Sequence, residues 1–212
     1  MKYLRSWSVR TPAVVVAVPL AMFAETMAHA QKTIEVVSGA MEPTLHQKQE
    51  VRIDLFAYTF AAPARGDVVV FLVPSGSEYR MYRVVALPGD TIAYDADRQL
   101  NINGVEVRRM PTDAPAPPTW AKSKTFVEEL PGARHLVLLE PEKGLVLTFP
   151  GLTNNPDCVT TVGAFSCKVP ANRYFLMGDN REHAMDSRAL GFIPAENITA
   201  RVRIDTASGG AN

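Results

Sequence analysis

A chain of 212 residues has room for one domain of ordinary size plus an appendage, and 47% hydrophobic residues are ample for a core. The formal net charge is zero and Lys and Arg form no long run, which excludes the electrostatic footprint of a nucleic-acid binder. The 13 glycines and 16 prolines are spread along the chain and leave few helix-length periodic windows, so the expected class is mainly β.

Residues 1–30 open with Lys2, Arg5 and Arg10, followed by an apolar run from Ala13 to Ala24 and then Ala28-His29-Ala30. The run is short for a hydrocarbon core of about 30 Å, and a basic start, a short apolar centre and Ala-x-Ala describe a cleavable secretory signal. A start near Trp7 lengthens the run into a retained membrane helix. The positive flank puts the N-terminus of either version in the cytoplasm, and both export the rest of the chain.

The stretch Ser38-Gly39-Ala40-Met41-Glu42-Pro43-Thr44-Leu45 suits an extended edge followed by a turn, since Pro43 removes a backbone donor and Gly39 allows close approach. Strands are expected on either side, at Ile34 to Val37 and Val51 to Ile53, with a polar turn from His46 to Glu50 between them. Leu55, Phe56, Tyr58 and Phe60 are an apolar stretch for the core or for a membrane surface, and the core is the expected destination. Arg65-Gly66-Asp67 turns into a buried strand, Val68 to Phe71. Met81 to Leu87 is a further strand ending at Pro88-Gly89-Asp90.

Leu100 to Val107 reads as a hairpin around Asn103-Gly104, a type I′ signal. Pro111 to Pro118 is an irregular connector, and Phe126 to Glu129, His135 to Leu139 and Leu145 to Phe149 are short strands. The stretch from about 98 to 165 therefore reads as inserted hairpins with no motif and no chemistry of their own. Cys158 and Cys167 are the only cysteines. Two thiols without clustered histidines do not complete a metal site, and export favours a disulfide between them. No sequence feature calls for a metal or cofactor. Gly178-Asp179-Asn180-Arg181 and Asp186-Ser187-Arg188 then form a charged turn region that, by itself, reads as a solvated loop.

In this order, Ser38 to Leu45, Arg65-Gly66-Asp67, Tyr82-Arg83 ahead of Leu87-Pro88-Gly89-Asp90, and Gly178 to Arg188 resemble the four signature stretches of the type I signal peptidases. These are membrane-bound Ser-Lys proteases that remove leader peptides from exported proteins. The resemblance implies antiparallel sheets forming a signal-peptidase-like β-domain at residues 31–206, with the insertion as its variable part. It also implies one N-terminal membrane anchor within residues 1–30 and a small frayed tail at 207–212. The implied setting is the bacterial inner membrane, single-pass, with the β-domain on the periplasmic side; the implied partners are the lipid bilayer and leader peptides. A cysteine pair ahead of the last motif is also common in the family.

The departures sit at the chemistry. Ala40 stands where the family carries its nucleophilic serine, Tyr82 where it carries the lysine base, and Ala184 where a serine orients that lysine. Ser38 matches the serine whose hydroxyl assists the oxyanion, beside Met41 and Pro43 in the cleft. Arg83, Asp179, Asn180, Arg181, Asp186 and Arg188 match the supporting wall. A Ser-Lys protease needs a hydroxyl, a neutral lysine and oxyanion donors; Ala40 offers no nucleophile, and a tyrosine is mostly protonated near neutrality. The expectation is a protein that binds signal peptides, or a partner such as an active paralogue, without efficient cleavage. Two alternatives stay open. One is an active site rearranged around Ser38, taken to share a strand face with Ala40, and His183, since His29, His46 and His135 have no matching acid and nucleophile in any motif. The other is an accessory subunit of a secretion or pilus assembly system.

Overall fold

The computed structural model describes residues 31–74, 76–141 and 148–204. The signal or anchor at 1–30, the end of the β-domain at 205–206 and the tail at 207–212 lie outside the described residues. Among the described residues no helix is long and apolar enough to cross a membrane.

The chain forms antiparallel sheets. The largest runs in the order β1 (Gln31–Glu35), β2 (Glu50–Asp54), β15 (Ile198–Arg203), β3 (Val68–Leu72), β4 (Tyr79–Ala86), β13 (Arg173–Met177) and β14 (Ile193–Pro194). A second orders β11 (Cys158–Thr161), β12 (Ala164–Lys168), β5 (Thr91–Tyr94), β6 (Leu100–Ile102) and β7 (Val105–Glu106), and a third β10 (Ala133–Leu139), β9 (Lys124–Leu130) and β8 (Arg108–Pro111). Among the described residues, helical structure is limited to the 3-10 turns η1 (Gly39–Met41), η2 (Pro118–Trp120) and η3 (Ala195–Asn197) and to the short helix α1 (Ser187–Leu190).

From Tyr82 and Tyr174 onward, β4 and β13 are buried on both faces, which suits their largely apolar sequence there. Their side chains alternate between two cores. Tyr82, Val84, Tyr174 and Leu176 join one core with Val36, Met41 and Phe71. Val85, Ala86, Phe175 and Met177 join the other, where Tyr94, Phe149 and Phe165 pack as an aromatic group. Asn103 and Gly104 both take positive φ, 55° and 81°, as a type I′ hairpin turn requires.

Three sequence expectations are corrected. Ser38 is extended, at φ −141° and ψ 158°, but Gly39, Ala40 and Met41 wind into a 3-10 turn rather than an extended edge. Ser38 and Ala40 therefore do not share a strand face. Leu55, Phe56 and Phe60 are exposed, Phe60 fully, because β2 ends at Asp54 and the chain leaves the sheet in turns. Tyr58 alone turns back, with its hydroxyl donating to Asp67 at 2.9 Å. Of the strand expected from Leu145 to Phe149, residues 145–147 lie outside the described residues, and Thr148 and Phe149 are irregular although Phe149 is buried.

Cys158 and Cys167 face each other across the β11–β12 hairpin and are joined by a disulfide. Cys167 is buried in the second core, in a sheet that contributes nothing to the cavity described below. Replacing both cysteines by serine is expected to destabilise the fold by about 2 to 3 kcal/mol, the loop-entropy value for so short a loop. Denaturant unfolding measures the loss; an unchanged midpoint would show that sheet pairing alone holds the hairpin.

Candidate functional site

Asp179 sits at the centre of the site and is fully buried. Its carboxylate accepts from Arg83 Nε at 2.9 Å and Arg83 Nη2 at 2.6 Å, a bidentate pair, and from the Thr44 hydroxyl at 2.5 Å. Arg83 also donates to the Gly66 carbonyl at 2.7 Å. Burial works against the charge of Asp179, but the Arg83 guanidinium and these hydrogen bonds outweigh it and hold the carboxyl below its usual value. Residues from three of the motifs thus meet at one carboxylate, and the Arg65-Gly66-Asp67 motif is joined to it through Arg83.

Asn180 fixes the first motif through its main chain. Its N–H donates to the Ala40 carbonyl and its side-chain amide to the Gly39 carbonyl, each at 3.1 Å. Gly178 lies between them and admits no side chain. A Cβ there would stand 2.3 Å from the Ala184 Cβ, 2.6 Å from the Ala40 carbonyl oxygen and 3.4 Å from Tyr82 Cε1. That crowding places Ala40, Tyr82 and Ala184, far apart in the chain, around one point. Tyr82 is buried and packs on Phe71 with ring centroids 5.6 Å apart. Burial raises its pKa, with the nearby Asp186 carboxylate adding to the rise, so the group is a phenol at neutral pH. Asp186 itself accepts from Arg188 Nε and Nη2 at 2.9 and 2.7 Å and from the Gly178 N–H at 3.0 Å, and Arg188 Nη2 reaches the Arg181 carbonyl at 2.6 Å.

The insertion is not silent. Arg181, fully buried, forms a bidentate pair with Glu128 of β9, and its Nε donates to the Gly178 carbonyl at 3.2 Å. His135 of β10 is buried beside them, its Nε2 3.4 Å from Glu128 and 3.8 Å from Asp179, and neither ring nitrogen makes a hydrogen bond among the described residues. β10 also exchanges main-chain hydrogen bonds with the last motif, Leu138 N–H to Asp179 and Arg181 N–H to Leu138. Trp120, from η2, packs on His183 with ring centroids 4.1 Å apart, and its indole edge lies where a Cβ on Gly39 would be only 3.0 Å away.

Sequence reading missed Glu128, His135, Trp120 and Glu140. It also assigned no acid to any histidine, whereas His183 Nε2 pairs with Glu140 and His46 Nδ1 with the buried Glu42 at 2.5 Å. A charged residue inside the strand pattern of Phe126 to Glu129 was the available signal for Glu128. Nothing in the proline-rich connector marked Trp120.

Val36 to Met41 form one wall of a cavity of about 620 Å³, and Glu78 to Tyr82 of β4 form the other; Trp120, His183 and Met185 close it. Ser38, Ala40, Met41 and Tyr82 are therefore brought together, while Arg83, Asp179, Arg181 and Arg188 stand behind them as support. Pro43, joined to Glu42 by a cis peptide bond, is outside the cavity lining. β13 pairs with β4 only from Arg83 onward, so among the described residues Tyr79 to Tyr82 have no strand partner on that side.

The buried charges make stability depend on pH. Burial, with the Arg83 cation beside it, holds His135 below its ordinary pKa despite two nearby carboxylates. The unfolded chain therefore takes up a proton on His135 that the folded chain resists. This contribution is full above about pH 6.5 and is lost as pH falls below it. Glu128 and Asp179 are held low, so theirs is full above about pH 4 and is lost as pH falls further. Melting curves from pH 8 to 3 are expected to show two descending limbs, and His135→Gln should flatten the first only. An unaltered first limb in that variant would assign it to another group.

The family comparison accounts for the order of these motifs. The model of the family described as signal peptidase, peptidase S26, matches residues 5–206. Signal peptidase I of Pseudomonas fluorescens is 32% identical over 190 residues, covering 79% of this chain and 61% of that protein. Signal peptidase I of Pseudomonas aeruginosa is 31% identical with the same coverage, and that of Aquifex aeolicus is 28% identical, covering 82% of this chain and 75% of its own. The chain thus spans about three fifths of the length of the Pseudomonas relatives. With a match over nearly its whole length, the chain belongs to the signal peptidase family, peptidase S26.

Proposed function

We propose that this chain is a signal-peptidase scaffold that receives an extended leader peptide in its cavity without cleaving it efficiently. The observation that carries this reading is the convergence of Ala40, Tyr82 and Ala184 around Gly178. The three positions that the family resemblance assigns to nucleophile, base and lysine-orienting group are adjacent in space, and none has the side chain the chemistry requires. A methyl group is no nucleophile, and a buried phenol with a raised pKa is no base. The unpaired side of Tyr79 to Tyr82 supports binding of a peptide by strand addition. The location proposed is the bacterial inner membrane, with residues 1–30 as anchor and the β-domain on the periplasmic side. The exposed Leu55, Phe56 and Phe60 suit a domain held against lipid.

A second reading is favoured by one contact. Glu140 pairs with His183, and His183 lines the same cavity as Ser38, so an imidazole backed by an acid borders one space with a hydroxyl. That set is the composition of a rearranged serine hydrolase. No contact distinguishes an accessory role in secretion or pilus assembly, in which the cavity is unused.

Catalytic groups act as a unit, so restoring one member recovers almost nothing. Ala40→Ser and Tyr82→Lys alone are expected to stay inactive on a substrate with Ala-x-Ala at the cleavage site. The double variant should cleave detectably, and adding Ala184→Ser should raise the rate further. The lysine would sit among Met41, Met81 and Val84, which keep water from it and favour its neutral form. Cleavage by the unmodified protein, abolished by Ser38→Ala, His183→Ala or Glu140→Gln, would instead establish the rearranged enzyme.

A further inference from the structure

Arg80 and Tyr82 are two residues apart on β4, so they present the same face of the strand, and both line the cavity beside Ser38 and Ala40. Arg80 Nη1 donates to the Met185 carbonyl at 3.1 Å and Nη2 to Glu78 Oε2 at 3.0 Å, and the guanidinium faces the Tyr82 hydroxyl. The Glu78 side chain is 71% exposed and that of Arg80 26%. An ion pair with one partner in water is weak and screened, so Glu78 covers the guanidinium without locking it.

The other charges nearby are already committed. Asp186 has both oxygens on Arg188, and His183 is paired with Glu140. A carboxylate entering the cavity therefore meets a cation whose partner is displaceable, with a phenol donor beside it.

We propose that the cavity recognises a peptide carboxylate, seated on Arg80 and the Tyr82 hydroxyl in place of Glu78. The chemistry is shared by two sources: the free C-terminus of an already cleaved leader, and an acidic side chain within an intact one. This rests on the peptide-binding reading above and names the group bound. A protein of this kind would hold the product of leader cleavage in preference to the uncleaved chain.

The test is a fluorescence titration of the full-length chain in detergent with three peptides of one sequence ending in Ala-x-Ala. One is the free acid, one the C-terminal amide, and one the amide with Asp in place of x. The free acid is expected to bind roughly tenfold more tightly than the amide, the advantage of a charge-assisted over a neutral contact. Arg80→Gln should abolish that ratio, Glu78→Gln should tighten the acid several-fold, and added salt should shrink the preference. Tighter binding of the Asp amide than of the plain amide supports the same seat with a side-chain source.

Equal binding of all three peptides by the unmodified protein overturns the carboxylate seat and leaves peptide binding standing. Saturation by none of them removes the peptide-binding reading and the inference with it. A preference for the acid that persists undiminished in Arg80→Gln, with its circular dichroism unchanged, overturns the assignment to Arg80. The comparison of peptides on the unmodified protein does not depend on any variant folding.

Discussion

A buried carboxylate is costly unless donors surround it, and Asp179 is surrounded by donors from distant parts of the chain. Arg83 brings β4 to it and Thr44 brings the segment that follows η1, while its own main-chain carbonyl takes the N–H of Leu138 from β10. None of these donors can leave without exposing a charge to a low-dielectric interior, so the elements that carry them are fixed relative to one another. The wall of the cavity inherits its geometry from this arrangement. Asn180, the next residue, then places the Gly39 to Met41 turn opposite Tyr82.

A second buried pair extends the same logic into the insertion. Arg181 is fully enclosed, and its charge is acceptable there only because Glu128 supplies two oxygens and Gly178 a carbonyl. The third sheet is therefore tied to the last motif by charge as well as by the Leu138 and Asn180 bridge. What the insertion gains from this anchoring is the position of η2, whose Trp120 closes the cavity over Gly39 and His183. The stretch around Trp120 thus shapes what can enter.

Strands and hairpins were legible from the sequence because their causes are local. Valine-rich β3, the alternating cores along β4 and β13, and the Asn103-Gly104 turn each follow from side-chain period or φ preference over a few residues. The η1 turn was not legible. Gly39 and Pro43 are compatible with an extended edge, and the choice is made by hydrogen bonds from Asn180, remote in sequence. Leu55 to Phe60 misled for a related reason, since hydrophobicity fixes a preference for burial but not the availability of a surface to pack on. Of the site, the four motifs could be read and the insertion's contribution could not. Glu128 has no partner nearby in sequence, and its identity as a site residue exists only once Arg181 is beside it.

On the proposed reading, the contacts that shape the cavity explain how the catalytic side chains that the resemblance assigns to positions 40, 82 and 184 can be absent while the frame persists. The turn at residue 40 is held by the main-chain carbonyls of Gly39 and Ala40, so the side chain at that position bears no part of the load. At residue 82 a phenol packs against Phe71 and fills a buried position with apolar area, where a lysine amine would have to shed its hydration. Ala184 packs beside Gly178, where a methyl group fits. Alanine at 40 and 184 carries no polar group to desolvate, and a phenol at 82 costs less to bury than an ammonium, so none of the three side chains burdens the fold. On that reading, folding puts no pressure on these positions to carry catalytic groups; only turnover does. In the binding reading, selection acts instead on the shape of the cavity and on the donors along β4.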